Sequence, residues 1–247
     1  MILRRVFPSP GEPIDITVED ARERLRELYA VPEPAWLRLN LISSVDGNAV
    51  GSDGTSESLT NRADRAILGA IRSLADVILV GAASVRAEGY HLPSASTLAI
   101  LTMSGDLAGH RMGGDDEAAR VLVLCPAEAR DAVLASFGGR EPQIVEIDDV
   151  EGRLPAVDVI RALHDRGLRR IVCEGGPSVA AQLLDAGVVD ELCLSTGPVV
   201  AGAGLPLLGG VAEHRLTLAQ LLVDDASGVY ARWRCAPDDA QDPPATR

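Results

Sequence analysis

Two short stretches of this chain share one design, and that design restricts what the chain can fold into. In Ala75-Asp76-Val77-Ile78-Leu79-Val80-Gly81-Ala82-Ala83-Ser84-Val85, the run Val77 to Val80 is continuously apolar. That is the pattern of a strand buried on both faces of a parallel sheet. Gly81 ends the run, and small residues open a helix. In Arg169-Arg170-Ile171-Val172-Cys173-Glu174-Gly175-Gly176-Pro177-Ser178 a buried strand runs to Glu174 and two glycines follow. Pro177 stands where a first helical residue is favoured. The helix is expected over Ser178 to Ala186, closed by Gly187. A strand, a glycine and a helix start leave backbone N–H groups open at the carboxyl edge of a sheet. Open α/β sheets bind ligands there, and helix N-termini attract phosphate there. Either turn alone reads equally well as a tight connection with no ligand. Two together can hold one extended phosphate ligand. Neither is GxGxxG, and neither is GxxxxGK followed by Ser or Thr, so the usual nucleotide fingerprints are absent.

The rest of the chain supplies the sheet. Trp36 to Ser44 reads as a central strand, ending in Ser44-Val45-Asp46-Gly47-Asn48, a strong turn signal. Ala49 to Leu59 is rich in Gly, Ser and Asp and reads as a mobile loop hung from that strand, a common place for function. Thr60 is expected to cap a helix with Ala63, Ile67, Leu68, Ile71 and Leu74 as its apolar stripe. Arg62, Arg65 and Arg72 lie on the same helix. Most helix arginines are simply solvated, and one or two here could reach a substrate. Strands follow at Leu98–Thr102, Val121–Leu124 and Gln143–Ile147, helices at Ala127–Phe137 and Val157–Arg166, and a polar loop at Gly109–Ala119. This alternation predicts an α/β domain with a mostly parallel central sheet and right-handed crossovers. Leu216–Val223 and Gly228–Arg234 read as a C-terminal antiparallel hairpin at a sheet edge. Residues 1–35 read as a lead-in holding one helix, capped by Thr17 and stopped by Pro32 and Pro34, whose apolar face covers the main domain. The reductive reading of the boundaries is therefore one domain over 36–235, with a disordered Asp-, Pro- and Ala-rich tail over 236–247.

Composition removes several classes of function. The net charge of −13 over 247 residues argues against a nucleic-acid or anionic-membrane surface. No apolar run is long enough to span a bilayer, and none follows Arg4 and Arg5 as a signal peptide would require. Cys125, Cys173, Cys193 and Cys235 are far apart and show no metal spacing, which predicts buried free thiols in a reducing, cytoplasmic setting. No metal site is expected.

Five motifs in register then resemble a known family. These are Ser44-Val45-Asp46-Gly47, the Ala75-Asp76 to Gly81 strand with Ser84-Val85 behind it, Glu174-Gly175-Gly176, Asp190-Glu191-Leu192 and Pro198 to Gly202. They resemble the reductase domain of bacterial riboflavin biosynthesis, whose fold is the three-layer one of dihydrofolate reductase. The zinc deaminase domain that often precedes this reductase has no counterpart motif here, so the chain resembles a free-standing reductase. The resemblance implies NADPH-dependent reduction of a phosphoribosylaminopyrimidine to its ribityl form, with hydride delivered to C1′ of the ring-opened imine. The pteridine and pyrimidine substrates are small molecules, and a homodimer paired through sheet-edge elements is implied, though the first helix could equally cover that edge in a monomer.

The same resemblance implies site residues. Gly81, Ala82, Ser84 and Val85 would face the nicotinamide and pyrophosphate. Glu174, Gly175, Gly176, Pro177 and Ser178 would cradle the pyrophosphate. Thr102 and Ser104 would lie near the adenosine 2′-phosphate, where Met103 stands in place of a helpful arginine. Asn40, Ser44, Asp46 and Glu88, with Arg65 and Tyr90, would face the substrate. Asp46 would be the proton donor or imine-stabilising carboxylate, with Glu88 as the second acid. Departures cluster on the substrate side. Ala87-Glu88-Gly89-Tyr90 replaces the usual Ala-Asp-Asp/Asn-Pro, and Asn48 replaces a lysine. A pteridine reductase is the second reading, with Tyr90 stacking on a flat ring or merely packing against the sheet edge. A catalytically silent NADPH-binding protein is the third.

Overall fold

The computed structural model describes residues 1–112, 114–202 and 204–235. The elements, in order, are β1 (Ile2–Phe7), β2 (Ile14–Asp15), α1 (Ala21–Leu28), β3 (Trp36–Ser43), α2 (Arg62–Arg72), β4 (Val77–Gly81), α3 (Ala82–Glu88), β5 (Thr97–Leu101) and α4 (Asp115–Ala118). They continue with β6 (Val121–Cys125), α5 (Arg130–Ser136), β7 (Gln143–Glu146), α6 (Ala156–His164), β8 (Arg170–Cys173), α7 (Pro177–Asp185), β9 (Glu191–Thr196), β10 (Leu216–Asp224) and β11 (Val229–Cys235).

All eleven strands form one sheet, in the order β2-β1-β10-β11-β9-β3-β8-β4-β5-β6-β7. From β9 to β7 every pairing is parallel. The C-terminal hairpin β10–β11 adds antiparallel strands beside β9. Helices cover both faces, which makes three layers. The continuous apolar run of β4 has its reason here. Ile78 and Val80 pack into the core beneath α1, α2, α3 and α5, while Val77 and Leu79 pack into the core beneath α6 and α7. A strand covered on both faces has no side for a polar residue.

The first 35 residues do more than the sequence suggested. β1 pairs with β10 and β2 with β1, so strands, and not the first helix, cover the outer edge of the hairpin. Their pattern of exposed and buried positions, with Arg4 and Arg5 between Leu3 and Phe7, hid them. Two helix starts also differ. α1 begins after Asp20, and Thr17 instead turns back to bond Asp15. α2 is capped by Asn61, whose Oδ1 accepts from the N–H groups of Ala63 and Asp64 at 2.8 and 3.0 Å. Thr60 donates its hydroxyl to Asp64. The polar loop at 109–119 contains the short helix α4. The loop after β3 is braced from within: Asp53 accepts from Thr55 N–H, the Thr55 hydroxyl and the Ser58 hydroxyl, and these bonds hold its carboxyl below the usual range. The four cysteines are free thiols. The expected tail over 236–247 lies outside the described residues. No helix among the described residues is long and apolar enough to cross a membrane.

Candidate active site

The carboxyl ends of β3, β4, β5 and β8 open into one cleft of about 1300 Å³. That exceeds the range of about 300–1,000 Å³ typical of a pocket for one small ligand. One arm reaches α2, α3 and the loop after β3, and another runs past the end of β5. The floor is the pair of glycine turns, brought together as the sequence pattern suggested. Gly81 N–H donates to the Gly175 carbonyl at 2.7 Å. The close approach needs glycine. A Cβ on Gly81 would stand 3.0 Å from Val179 Cγ2, and one on Gly176 would stand 2.9 Å from Ser84 Oγ. Gly175 has φ +96°, a region that favours glycine. Ala82, Ser84, Pro177 and Ser178 line the cleft around this floor.

Glu174, expected with these turns, lines the cleft beside them with its side chain buried. It turns toward α2, where Arg72 grips it with two bonds of 2.6 Å, Nε to Oε1 and Nη2 to Oε2. Arg72 Nη2 also reaches the Tyr90 hydroxyl at 3.0 Å, and its guanidinium lies over the Tyr90 ring, 5.7 Å from the centroid. Burial pulls the Arg72 pKa down, but the bonds to Glu174 raise it further, so the pair is firmly ionic on the arginine side. Of the three arginines on this helix, sequence reading named Arg65 for the substrate and passed over Arg72. Only the fold separates them: Arg62 is exposed outside the cleft, Arg65 sits at the rim paired with Glu57, and Arg72 reaches the floor.

The remaining expected residues divide. Asn40, Arg65, Glu88 and Tyr90 line the cleft, as do Thr102 and Ser104. Glu88 is exposed and accepts from the Ser56 hydroxyl at 2.8 Å, which ties the loop after β3 across to α3. Thr102 and Ser104 spend their hydroxyls on the local turn, accepting from Gly105 N–H and Asp106 N–H. Arg86, which sequence reading passed over, lines the cleft beside them and donates to the Asp106 carbonyl at 2.7 Å.

Val85, Ser44 and Asp46 do not line the cleft. Val85 is fully buried on the core-facing side of α3. Of the two roles expected of Asp46, its surroundings bear on proton donation. Its carboxylate accepts from the Ser44 hydroxyl at 2.6 Å and from the N–H groups of Ala201 and Gly202 at 2.9 and 2.8 Å. The Ser44 bond, with the two backbone bonds, holds the carboxyl far below the usual range. A carboxylate so occupied is a poor proton donor. Asn48 shares the task, donating Nδ2 to the Gly202 carbonyl. Both side chains tie the Ser44–Asn48 turn to the 198–206 loop.

Comparison with known proteins agrees with this architecture. The family model for the RibD C-terminal domain matches residues 35–229. The riboflavin biosynthesis protein RibD of Mycobacterium tuberculosis is 27% identical over 201 residues, covering 78% of this chain and 50% of that protein. The chain thus spans about half the length of this curated relative. A 2,5-diamino-6-ribosylamino-4(3H)-pyrimidinone 5′-phosphate reductase from Archaeoglobus fulgidus is 25% identical over 187 residues, covering 68% of this chain and 82% of that protein. Among solved structures, a pyrimidine reductase-like protein from Corynebacterium diphtheriae superimposes with a TM-score of 0.75 at 26% identity, covering 87% of this chain and 99% of that one. With the matched segment running from the start of β3 into β11, the chain belongs to the RibD C-terminal domain family.

Proposed function

We propose that this chain is an NADPH-dependent reductase acting on a phosphoribosylaminopyrimidine of the riboflavin pathway. The observation that carries the reading is the meeting of the two glycine turns, Gly81 against Gly175, on the floor of a cleft large enough for two ligands. The residues present fit a dinucleotide. A phosphate can approach the backbone at Gly81 and Gly176, where Cβ atoms would crowd the junction, and at Gly175, whose positive φ favours glycine. The start of α7 at Pro177 and Ser178 adds the positive end of a helix dipole. Thr102, Ser104 and Arg86 line the arm proposed for the adenosine end.

Bound there, NADPH would supply the hydride that reduces C1′ of the ring-opened ribosylamine, while the exocyclic nitrogen takes a proton. The protein's share is orientation and charge placement. Glu174, fixed by Arg72, presents a carboxylate edge where positive charge develops on the substrate's C=N group. Glu88, bonded to Ser56, is the exposed carboxylate proposed to pass the proton, in place of Asp46. Arg65, parting from Glu57 at the rim, is the cation proposed for the substrate's 5′-phosphate.

The test follows loss of the near-ultraviolet absorbance of NADPH. Purified protein is given the deaminated and the undeaminated ribosylaminopyrimidine phosphate, and dihydrofolate, in parallel. Rapid oxidation with a phosphoribosyl substrate is expected. Oxidation with dihydrofolate alone would replace the substrate, and cofactor binding with no oxidation would leave a silent binding protein.

A further inference from the structure

We propose that Arg72 is the positioning residue for the Glu174 carboxylate, and that the Tyr90 hydroxyl braces Arg72 in that task. The proposal rests on the reading that Glu174 faces the reacting substrate.

The geometry is that of a clamp built in two steps. The Glu174 side chain is 7% exposed, and both its oxygens meet Arg72 nitrogens at 2.6 Å. A bidentate guanidinium fixes the plane of a carboxylate as well as its place, which a single bond cannot do. Arg72 in turn sits in the last turn of α2, on a long flexible side chain that is 33% exposed. Nothing about that helix position alone would stop it swinging into the cleft. Tyr90 supplies the stop. Its hydroxyl accepts from Nη2, its ring lies beneath the guanidinium, and the ring itself is buried. Gly89, at φ +57°, ends α3 and turns the chain so that Tyr90 points back to the helix it braces.

The charges around the pair give the clamp a purpose. Glu88 lies close enough to act on Arg72 electrostatically. Without the fork the Glu174 carboxylate is free to rotate and loses its aim. Tyr90 stands where the resemblance leads one to expect proline, so this brace is a feature of this chain's own sequence. It also has a consequence for substrate choice. With a guanidinium over its ring, Tyr90 is not a free platform for a flat pteridine.

The test uses Arg72→Lys, Arg72→Ala, Tyr90→Phe and Glu174→Gln in the full chain. Turnover, NADPH affinity from nicotinamide fluorescence, and crystal structures are compared. Arg72→Lys keeps the charge and loses the fork, so kcat is expected to fall by about 10- to 100-fold, with KM and NADPH Kd within about twofold. Tyr90→Phe removes one hydrogen bond and is expected to lower kcat by about 2- to 10-fold. Added guanidinium is expected to restore part of the turnover of Arg72→Ala, a response that a merely structural role would not give. In the Arg72→Ala crystal structure the Glu174 carboxylate is expected to rotate out of its present plane. An unmoved carboxylate overturns the proposal, and does so whether or not the wild type reduces any substrate. Full kcat in Arg72→Lys and Tyr90→Phe alongside an inactive Glu174→Gln overturns the clamp and leaves the reductase reading standing. Full turnover in Glu174→Gln removes Glu174 from the chemistry, and the proposal falls with that assignment.

Discussion

Two clusters in this protein are built from the same three residue types and do different work. In one, Glu191 accepts from Arg38 Nε at 2.5 Å and from Arg232 Nε and Nη2 at 2.9 and 2.8 Å, with Tyr29 under both guanidiniums. In the other, Glu174 is gripped by Arg72, with Tyr90 under the guanidinium. The first is sealed: Arg38 is 1% exposed and Glu191 0%. Arg38 Nη2 donates to the Tyr29 carbonyl and Arg232 Nη1 to the Leu28 carbonyl, so the cluster caps α1 with positive charge and pins that helix to the sheet. The second opens to the cleft through Arg72. The difference follows from position along the strands. Glu191 opens β9 and Arg38 lies near the start of β3, at the amino edge of the parallel strands. Glu174 follows the end of β8, at the carboxyl edge where α/β sheets place ligands. Arg, Glu and Tyr at one edge make a structural clamp, and at the other edge they frame a site.

Mutations should separate the two. The largest effect is expected from Glu191→Ala. It leaves two buried guanidiniums without their carboxylate, a loss of about 3–5 kcal/mol of stability, read as a fall in the urea midpoint. Cofactor affinity of the folded fraction should not change. A loss of stability under about 1 kcal/mol would show that water or neighbouring carbonyls replace the carboxylate, and the sealed cluster would not be the clamp described.

Glu174→Gln should reverse the pattern. Turnover is expected to fall by about 100-fold or more, while stability changes by no more than about 1–2 kcal/mol, because Arg72, one-third exposed, can rehydrate. Equal stability losses in the two variants would erase the contrast.

Acidity offers a second contrast. Burial pushes the Glu191 carboxyl up, but the charges of Arg38 and Arg232 and their hydrogen bonds outweigh it and leave it below its ordinary value of 4.5. A carboxyl lowered by folding stabilises the protein above its unfolded pKa. That contribution is lost as the pH falls through the folded pKa. Below about pH 4.5, stability of the wild type should therefore drop more steeply than that of a folded Glu191→Gln variant. Parallel curves would assign acid sensitivity to other carboxylates.

Gly81→Ala probes the floor beside the second cluster. The added methyl meets Val179 at 3.0 Å and faces Gly176 N at 3.4 Å. Overpacking is expected to cost about 1–3 kcal/mol, with NADPH affinity weakened about tenfold, an effect visible by fluorescence titration. Unchanged affinity would move the phosphate away from this turn.

Asp46→Asn should do least to chemistry. The side chain anchors a loop through accepted hydrogen bonds, so kcat is expected to stay within a few-fold of wild type. A fall of 100-fold or so would restore Asp46 as an acid and weaken the reading of Glu174.

The sequence was most legible where one constraint acted at a time. A run such as Val77–Val80 has to be a doubly buried strand, and a glycine pair after Glu174 has to be a tight turn, because local sterics and burial decide both. Side chains were less legible. Asp46 and Glu174 both stand just past a strand of the parallel set, and sequence reading took the first as an acid and the second as part of the pyrophosphate cradle. Their partners, Ala201 and Gly202 for one and Arg72 for the other, lie 155, 156 and 102 residues away in the chain. β1 was missed because its pairing to β10 joins the two ends of the sequence.

What the sequence determined by itself was the alternation of strands and helices, the doubly covered parallel sheet and the two glycine turns. Hydrophobic period and glycine freedom are properties of a few adjacent residues. What only the tertiary structure decided was which carboxylate meets which arginine, which of the three helix arginines pairs with Glu174, and which strand closes the edge of the hairpin. Charge pairing and edge pairing depend on distances through space, and those exist only once the sheet has formed.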